Sequence, residues 1–119
     1  VTPEIRNAVI VKTRLGREAH GIFTAMLDLD YGGSGQSFGG YNFDNYDDGW
    51  KKRIGTAHGM HFIIKILETL EVSCWEALEG THCRVECDNT RIQGIGHIIK
   101  DRWFHPKADP VLLGRPPVL

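Results

Sequence analysis

From His20 to Asp30 the side chains alternate strictly, and the next eleven residues, Tyr31 to Tyr41, hold five glycines between two tyrosines. Alternation with a period of two marks a half-buried strand. Phe23, Ala25, Leu27 and Leu29 fall on one face, and Ile22, Thr24, Met26, Asp28 and Asp30 on the other. Glycine at such density lets the backbone adopt positive φ and approach another chain segment or a ligand closely. A strand that runs into such a loop fixes the start of a β-rich fold and supplies its first candidate for binding.

Other segments complete the outline. Asn7 to Arg14 carries the β-branched run Val9-Ile10-Val11 with Thr13, a strand signal. Leu15 to Ala19 joins it to the next strand as a hairpin. Gln36 to Phe43 reads as a third, glycine-weakened strand, followed by a polar loop over Asn45 to Gly49. Met60, Ile63, Ile64, Leu67 and Leu70 recur at helical spacing, which predicts a helix over Thr56 to Glu71 with Phe62 and Ile66 widening its apolar face. Ser73 and Glu76 have capping-box spacing for a short turn ending at Gly80. His82 to Asp88 alternates with Cys83, Val85 and Cys87 inward, and Arg91 to Lys100 is the last strand candidate. The expected fold is α+β: an antiparallel sheet of about five strands, ordered β-β-β-α-β-β, with one main helix packed on a face. The domain is expected to span 1–106, with 107–119 as a proline-rich arm or disordered tail.

A chain of 119 residues is long enough for one domain with a real core. Its net charge of −1 argues against general nucleic-acid binding. No apolar run approaches the ~20 residues that span a bilayer, and Pro3, Glu4 and Arg6 interrupt any leader-like segment. Three cysteines leave an odd thiol, which favours a reducing compartment, so the expected location is the cytoplasm. Short sheets leave edges to cover, and a homo-oligomer is the expected cover.

The glycine loop lacks the Gly-Lys-Ser/Thr ending of a phosphate loop and precedes a strand rather than a helix. Consecutive backbone N–H groups there nonetheless have the makings of an anion nest. Arg53 stands near a helix N-terminus at Thr56, where free N–H groups and the helix dipole favour anions. The candidate ligand site is therefore Tyr31, Gly33, Gly35, Gln36, Phe38 and Tyr41 of the loop, with Arg53 and Thr56. Its bland counterpart is a bulged hairpin and a solvated turn in which basic residues balance Asp44, Asp47 and Asp48. Trp103 and Phe104 form a second candidate, for a protein partner, because large aromatics gather at interaction hot spots. No metal is expected. His58 and His61 lack the Glu of a zinc hydrolase motif, and Cys83 and Cys87 lie too far apart along a strand, about 13 Å. No nucleophile and base stand at a recognisable spacing, and no cofactor motif is present.

Certain residues carry a resemblance: Leu15-Gly16-Arg17-Glu18-x-His20-Gly21-Ile22, Gly32-Gly33-x-Gly35-Gln36-x-Phe38-Gly39-Gly40-Tyr41, Gly55-Thr56-Ala57-x-Gly59, Trp75-Glu76-x-Leu78-x-Gly80 and Lys100-Asp101-x-Trp103-Phe104-x-Pro106. Over about residues 7–106 the chain resembles short, uncharacterised proteins of tailed phages and prophages. That resemblance implies no catalytic residues. It implies a small accessory protein that acts by occupancy, as counter-defence proteins do. The expected function is a non-enzymatic protein that binds a phosphate-bearing or nucleotide-like small molecule. The alternatives are an inhibitor or scaffold of a host or phage protein, and a small metal-dependent hydrolase.

Overall fold

The computed structural model describes residues 3–114. Eight strands and one helix run in the order β1 (Glu4–Arg17), β2 (Phe23–Asp30), β3 (Gly35–Gly39), β4 (Asp44–Asp47), β5 (Lys52–Gly55), α1 (Ala57–Leu70), β6 (His82–Cys87), β7 (Ile92–His97) and β8 (Trp103–Phe104). The fold is α+β, with a six-stranded antiparallel sheet ordered β3-β2-β1-β6-β7-β8 and a separate β4-β5 hairpin. That hairpin occupies the expected polar loop, because Asp44 is buried and pins the base of the hairpin to β2.

The shape follows from β1. Its first half, Glu4 to Val9, pairs with β6, and its second half, Val9 to Arg17, pairs with β2. The handover falls at Val9 and Ile10, beside a bulge between Ile10 and Lys12. A bulge bends a strand and increases its twist. The two half-sheets therefore fold toward each other, and β3 comes within reach of β7 although three strands separate them in the sheet. Phe38 on β3 meets Phe104 on β8 edge-on at 6.4 Å.

Helix α1 fills the opening. Thr56 caps its start by accepting the Gly59 N–H at 3.0 Å, and Glu71 ends it in the left-handed region at φ 57°. The buried positions are Gly59, Phe62, Ile66, Thr69 and Leu70, whereas Met60 and Ile64, expected on the apolar face, are exposed. The helix is apolar on most sides, so its periodicity alone did not select the buried face. Gly59 decides it: a Cβ there would stand 2.5 Å from that of Phe43, so helix and chain touch backbone to backbone. Phe62 then becomes the hub of the core, with the rings of Tyr41, Phe43 and Phe104 at 5.1, 5.1 and 5.0 Å. The short turn at Trp75–Ala77 starts from Cys74 without a side-chain cap, so the expected Ser73 capping box does not form.

The chain from Pro106 onward does not leave the domain within the described residues. Pro106 is buried, Leu112 packs on the core and Asp109 meets His61 at 3.0 Å. The remainder of the expected arm, 115–119, lies outside the described residues.

Candidate functional site

The residues expected to share one ligand are divided between the two ends of β2. Asp44 accepts the Phe23 N–H at the start of that strand, and Arg53 donates to the same carboxylate at 2.8 Å. Tyr31 and the glycine turn follow its last residue. Eight strand residues separate the two groups by roughly 25 Å.

Each half is also occupied by its own chain. Gly32 and Gly33 take positive φ, as a tight turn requires, but both N–H groups point to Asp30 Oδ1, at 3.2 and 3.3 Å. The expected anion nest is thus filled by a neighbouring carboxylate. The Tyr31 ring lies under the Arg6 guanidinium at 5.3 Å. Gly35 is required by packing, since a Cβ would come within 2.3 Å of Leu29 O. Gln36 reaches across to the Asp88 carbonyl at 3.4 Å. Phe38 is buried and has no face for a ligand. Arg53 donates to the Asp44 carboxylate and carbonyl, both at 2.8 Å, and to Asn42 at 3.3 Å. Its hydrogen bond holds the Asp44 carboxyl below the usual carboxylate range. Thr56 is spent on capping and on Phe43 O. Thr56 and the Arg53 Nη2 group are thus engaged within the chain.

Trp103 and Phe104 also separate. Phe104 is buried in the core and cannot contact a partner. Trp103 lies on the outer sheet face over Gly96, where a Cβ would touch its ring, and His105 lies likewise over Gly94. The two rings are near-parallel, with centroids 5.7 Å apart, and Arg84 stands 5.0 Å from the Trp103 centroid.

Tyr41 remains, and the structure gives it new neighbours. Where β3 approaches β7 the roll stays open as a cleft of about 280 Å³, lined by Tyr41, Glu86, Arg91, Ile92, Gln93, His105, Lys107 and Ala108. Asp88 builds one wall by accepting the N–H groups of Thr90 and Arg91 at 2.8 and 3.0 Å, and its other oxygen holds Gln93. These bonds draw its carboxyl down to about 2. The opposite wall is the turn Pro106–Ala108, where His105 meets Glu86 at 3.4 Å. Burial pushes the Tyr41 phenol up while Arg91 pulls it down, so the hydroxyl stays protonated and able to donate. The ion pairs among the described residues involve neither Arg91 nor Lys107. The cleft therefore presents two cations outside those ion pairs, a phenol, an amide and the Glu86 carboxylate to whatever enters it, with the Asp88 carboxylate near enough to Arg91 to feel its charge.

Sequence reasoning found Tyr41 and missed Arg91, Gln93 and Lys107. No local motif marks them: Arg91 and Gln93 come from β7 and the turn before it, Lys107 from the turn after the neighbouring β8, and Tyr41 reaches them across the roll.

His58 and His61 do not share a ligand geometry with a third group. His61 is engaged by Asp109, and no set of three His, Cys, Asp or Glu side chains converges among the described residues. Cys83 and Cys87 are buried strand thiols, and burial raises Cys83 to about 12. Among the described residues no helix is long and apolar enough to cross a membrane. Comparison with protein-family models, curated proteins and solved structures found no match.

Proposed function

We propose that this chain is a non-enzymatic binding protein that holds a phosphate- or carboxylate-bearing small molecule, nucleotide-like ones included, in the cleft at Tyr41. The observation that carries the reading is the convergence of Arg91 and Lys107, neither of them in an ion pair among the described residues, on one concave site with Tyr41 and Gln93. Arginine and lysine side by side suit an anionic group, and a few convergent polar groups in a cleft are the usual marks of a small-molecule site. Glu86, 3.4 Å from His105, offsets one of the two cationic charges and leaves the lining net positive. The resemblance to phage and prophage proteins fits a role by occupancy, such as sequestering a signalling metabolite.

Native mass spectrometry of protein purified gently from cells tests it. The wild type should carry an extra mass of a few hundred daltons that the folded double variant Arg91→Ala/Lys107→Ala lacks. A bound mass kept by that variant, or a wild type that takes up no anion from a metabolite mixture, refutes it.

A second reading, a protein inhibitor or scaffold, is favoured by the β4-β5 hairpin, which exposes Trp50 at 73% and Tyr46 at 57%. Exposed aromatics of this kind serve as interface anchors. Trp50→Ala should then abolish capture of a stoichiometric protein partner while leaving the cleft unaffected.

A further inference from the structure

A second cavity adjoins the cleft and bears on what its ligand looks like. It measures about 290 Å³, and its walls include Phe43, Phe62, Pro106, Leu112 and Leu113. Tyr41 and Lys107 line both spaces, so the two meet at those residues. Their chemistry differs. The cleft has the cations, the phenol and the amide. The second cavity is walled mainly by rings and branched aliphatic groups, and the polar Asn42 on its rim is already accepting from Asp44 N and Arg53. A sugar or second charge placed there would lose water and gain few partners. An apolar group would gain the usual benefit of burial.

We infer that the ligand is an amphipathic anion: a carboxylate or phosphate head in the cleft and an apolar chain or ring in the cavity beyond Tyr41. This rests on the reading of the cleft as an anion site and adds the nature of the other half. Lys107 suits the junction, since its aliphatic stem can lie along the tail while its ammonium meets the head. The ligand is a free soluble molecule rather than a bilayer lipid, because both spaces lie at the seam of the roll and each takes only a small group.

Calorimetric titration of the full chain with acetate, decanoate, inorganic phosphate, decyl phosphate and adenosine monophosphate tests the inference, with probes kept below their aggregation concentrations. Decanoate and decyl phosphate should bind at least about a hundredfold more tightly than acetate and phosphate. Leu113→Asn alters a side chain already 45% exposed, adds no charge beside Lys107 and should fold. It should weaken the ten-carbon probes far more than acetate and phosphate; the uncharged His58→Gln, on the same wall, is the second variant. Arg91→Ala/Lys107→Ala should weaken every anion. Equal affinity for decanoate and acetate, or tighter binding of adenosine monophosphate than of decyl phosphate, overturns the apolar half and leaves the anion site standing. Binding to phosphatidic-acid vesicles without binding monomeric decanoate also overturns it. Failure of all five probes removes the anion site as well.

Discussion

Single residues set the tight contacts of this molecule, and Gly59 is the clearest. Its missing side chain lets α1 approach Phe43 to a distance at which a Cβ would stand 2.8 Å from the Phe43 carbonyl oxygen. Gly59→Ala gains helix propensity but overpacks the core, and the net loss should be about 2 kcal/mol, read as a lower urea midpoint. Asp88 is the second case. Its carboxyl is held down to about 2 by the N–H groups of its own turn and the Thr90 hydroxyl. A depressed folded value means that the unfolded chain takes up the proton more readily. The stabilisation is present above about pH 5 and fades as pH falls through 4 toward 2. Asp88→Asn should therefore lower the urea midpoint at pH 6 more than at pH 3, with Asp44, Glu71 and Glu18, all also depressed, adding to the acid sensitivity of the wild type. Residues whose role is local were legible in the sequence. The helix limits at Thr56 and Glu71 rest on bonds within the adjoining turns, although both side chains also reach distant residues. For Arg53 the sequence left two readings, an anion clamp and a turn balancing Asp44, Asp47 and Asp48, and the β4-β5 hairpin singles out Asp44 as its partner.

Among the elements, α1 shows how an end can be secured from outside. The His97–Arg102 turn brings Lys100 to 2.8 Å, His97 to 3.2 Å and Arg102 to 3.7 Å from the Glu71 carboxylate. Arg102 also donates to the Glu68 carbonyl in the last turn, which accepts the Glu71 N–H as well, at 3.3 Å. Positive charge at a helix C-terminus complements its dipole. Glu71 meanwhile occupies a left-handed conformation that favours glycine. Glu71→Ala removes the carboxylate and keeps the strain, whereas Glu71→Gly removes both. Thermal melts should rank wild type and Glu71→Gly close together and Glu71→Ala lowest, with high salt reducing the advantage of the wild type. The helix limits were readable, but its buried face was not. Periodicity weighs apolar side chains, while the choice of face turned on a glycine, which has none.

For the molecule as a whole, the rolled sheet places the strands unequally. Val9 pairs with Asp30 on one side and His82 on the other, and Ile10 beside it is fully buried. Amide exchange should be slowest over Ala8 to Ile10 and fastest at the tip of the β4-β5 hairpin, since global opening is needed to free the former. The alternating strands and the helix made the α+β class legible. The roll was not, because it depends on register between distant strands. The cleft shares that fate in part: Arg91 and Lys107 lie 16 residues apart on one half-sheet, whereas Tyr41, 50 residues before Arg91, joins them only once the half-sheets close.

The bulge in β1 also keeps the count of the strand. Ile10, Thr13 and Leu15 stand opposite Leu29, Leu27 and Ala25, while Lys12 and Arg14 stand opposite Asp28 and Met26. A regular strand would put Lys12 and Arg14 on the face of Ile10, because side chains repeat every second residue. Val11 is the extra beat that turns them outward. Deleting that one residue should leave the facing of everything after it unchanged, since Lys12 would follow Ile10 in regular alternation, and remove only the bend. The product should keep its strand signal in far-ultraviolet circular dichroism and melt at a lower temperature, because the half-sheets lose the bulge that turns them toward each other, although the deletion removes only an exposed valine.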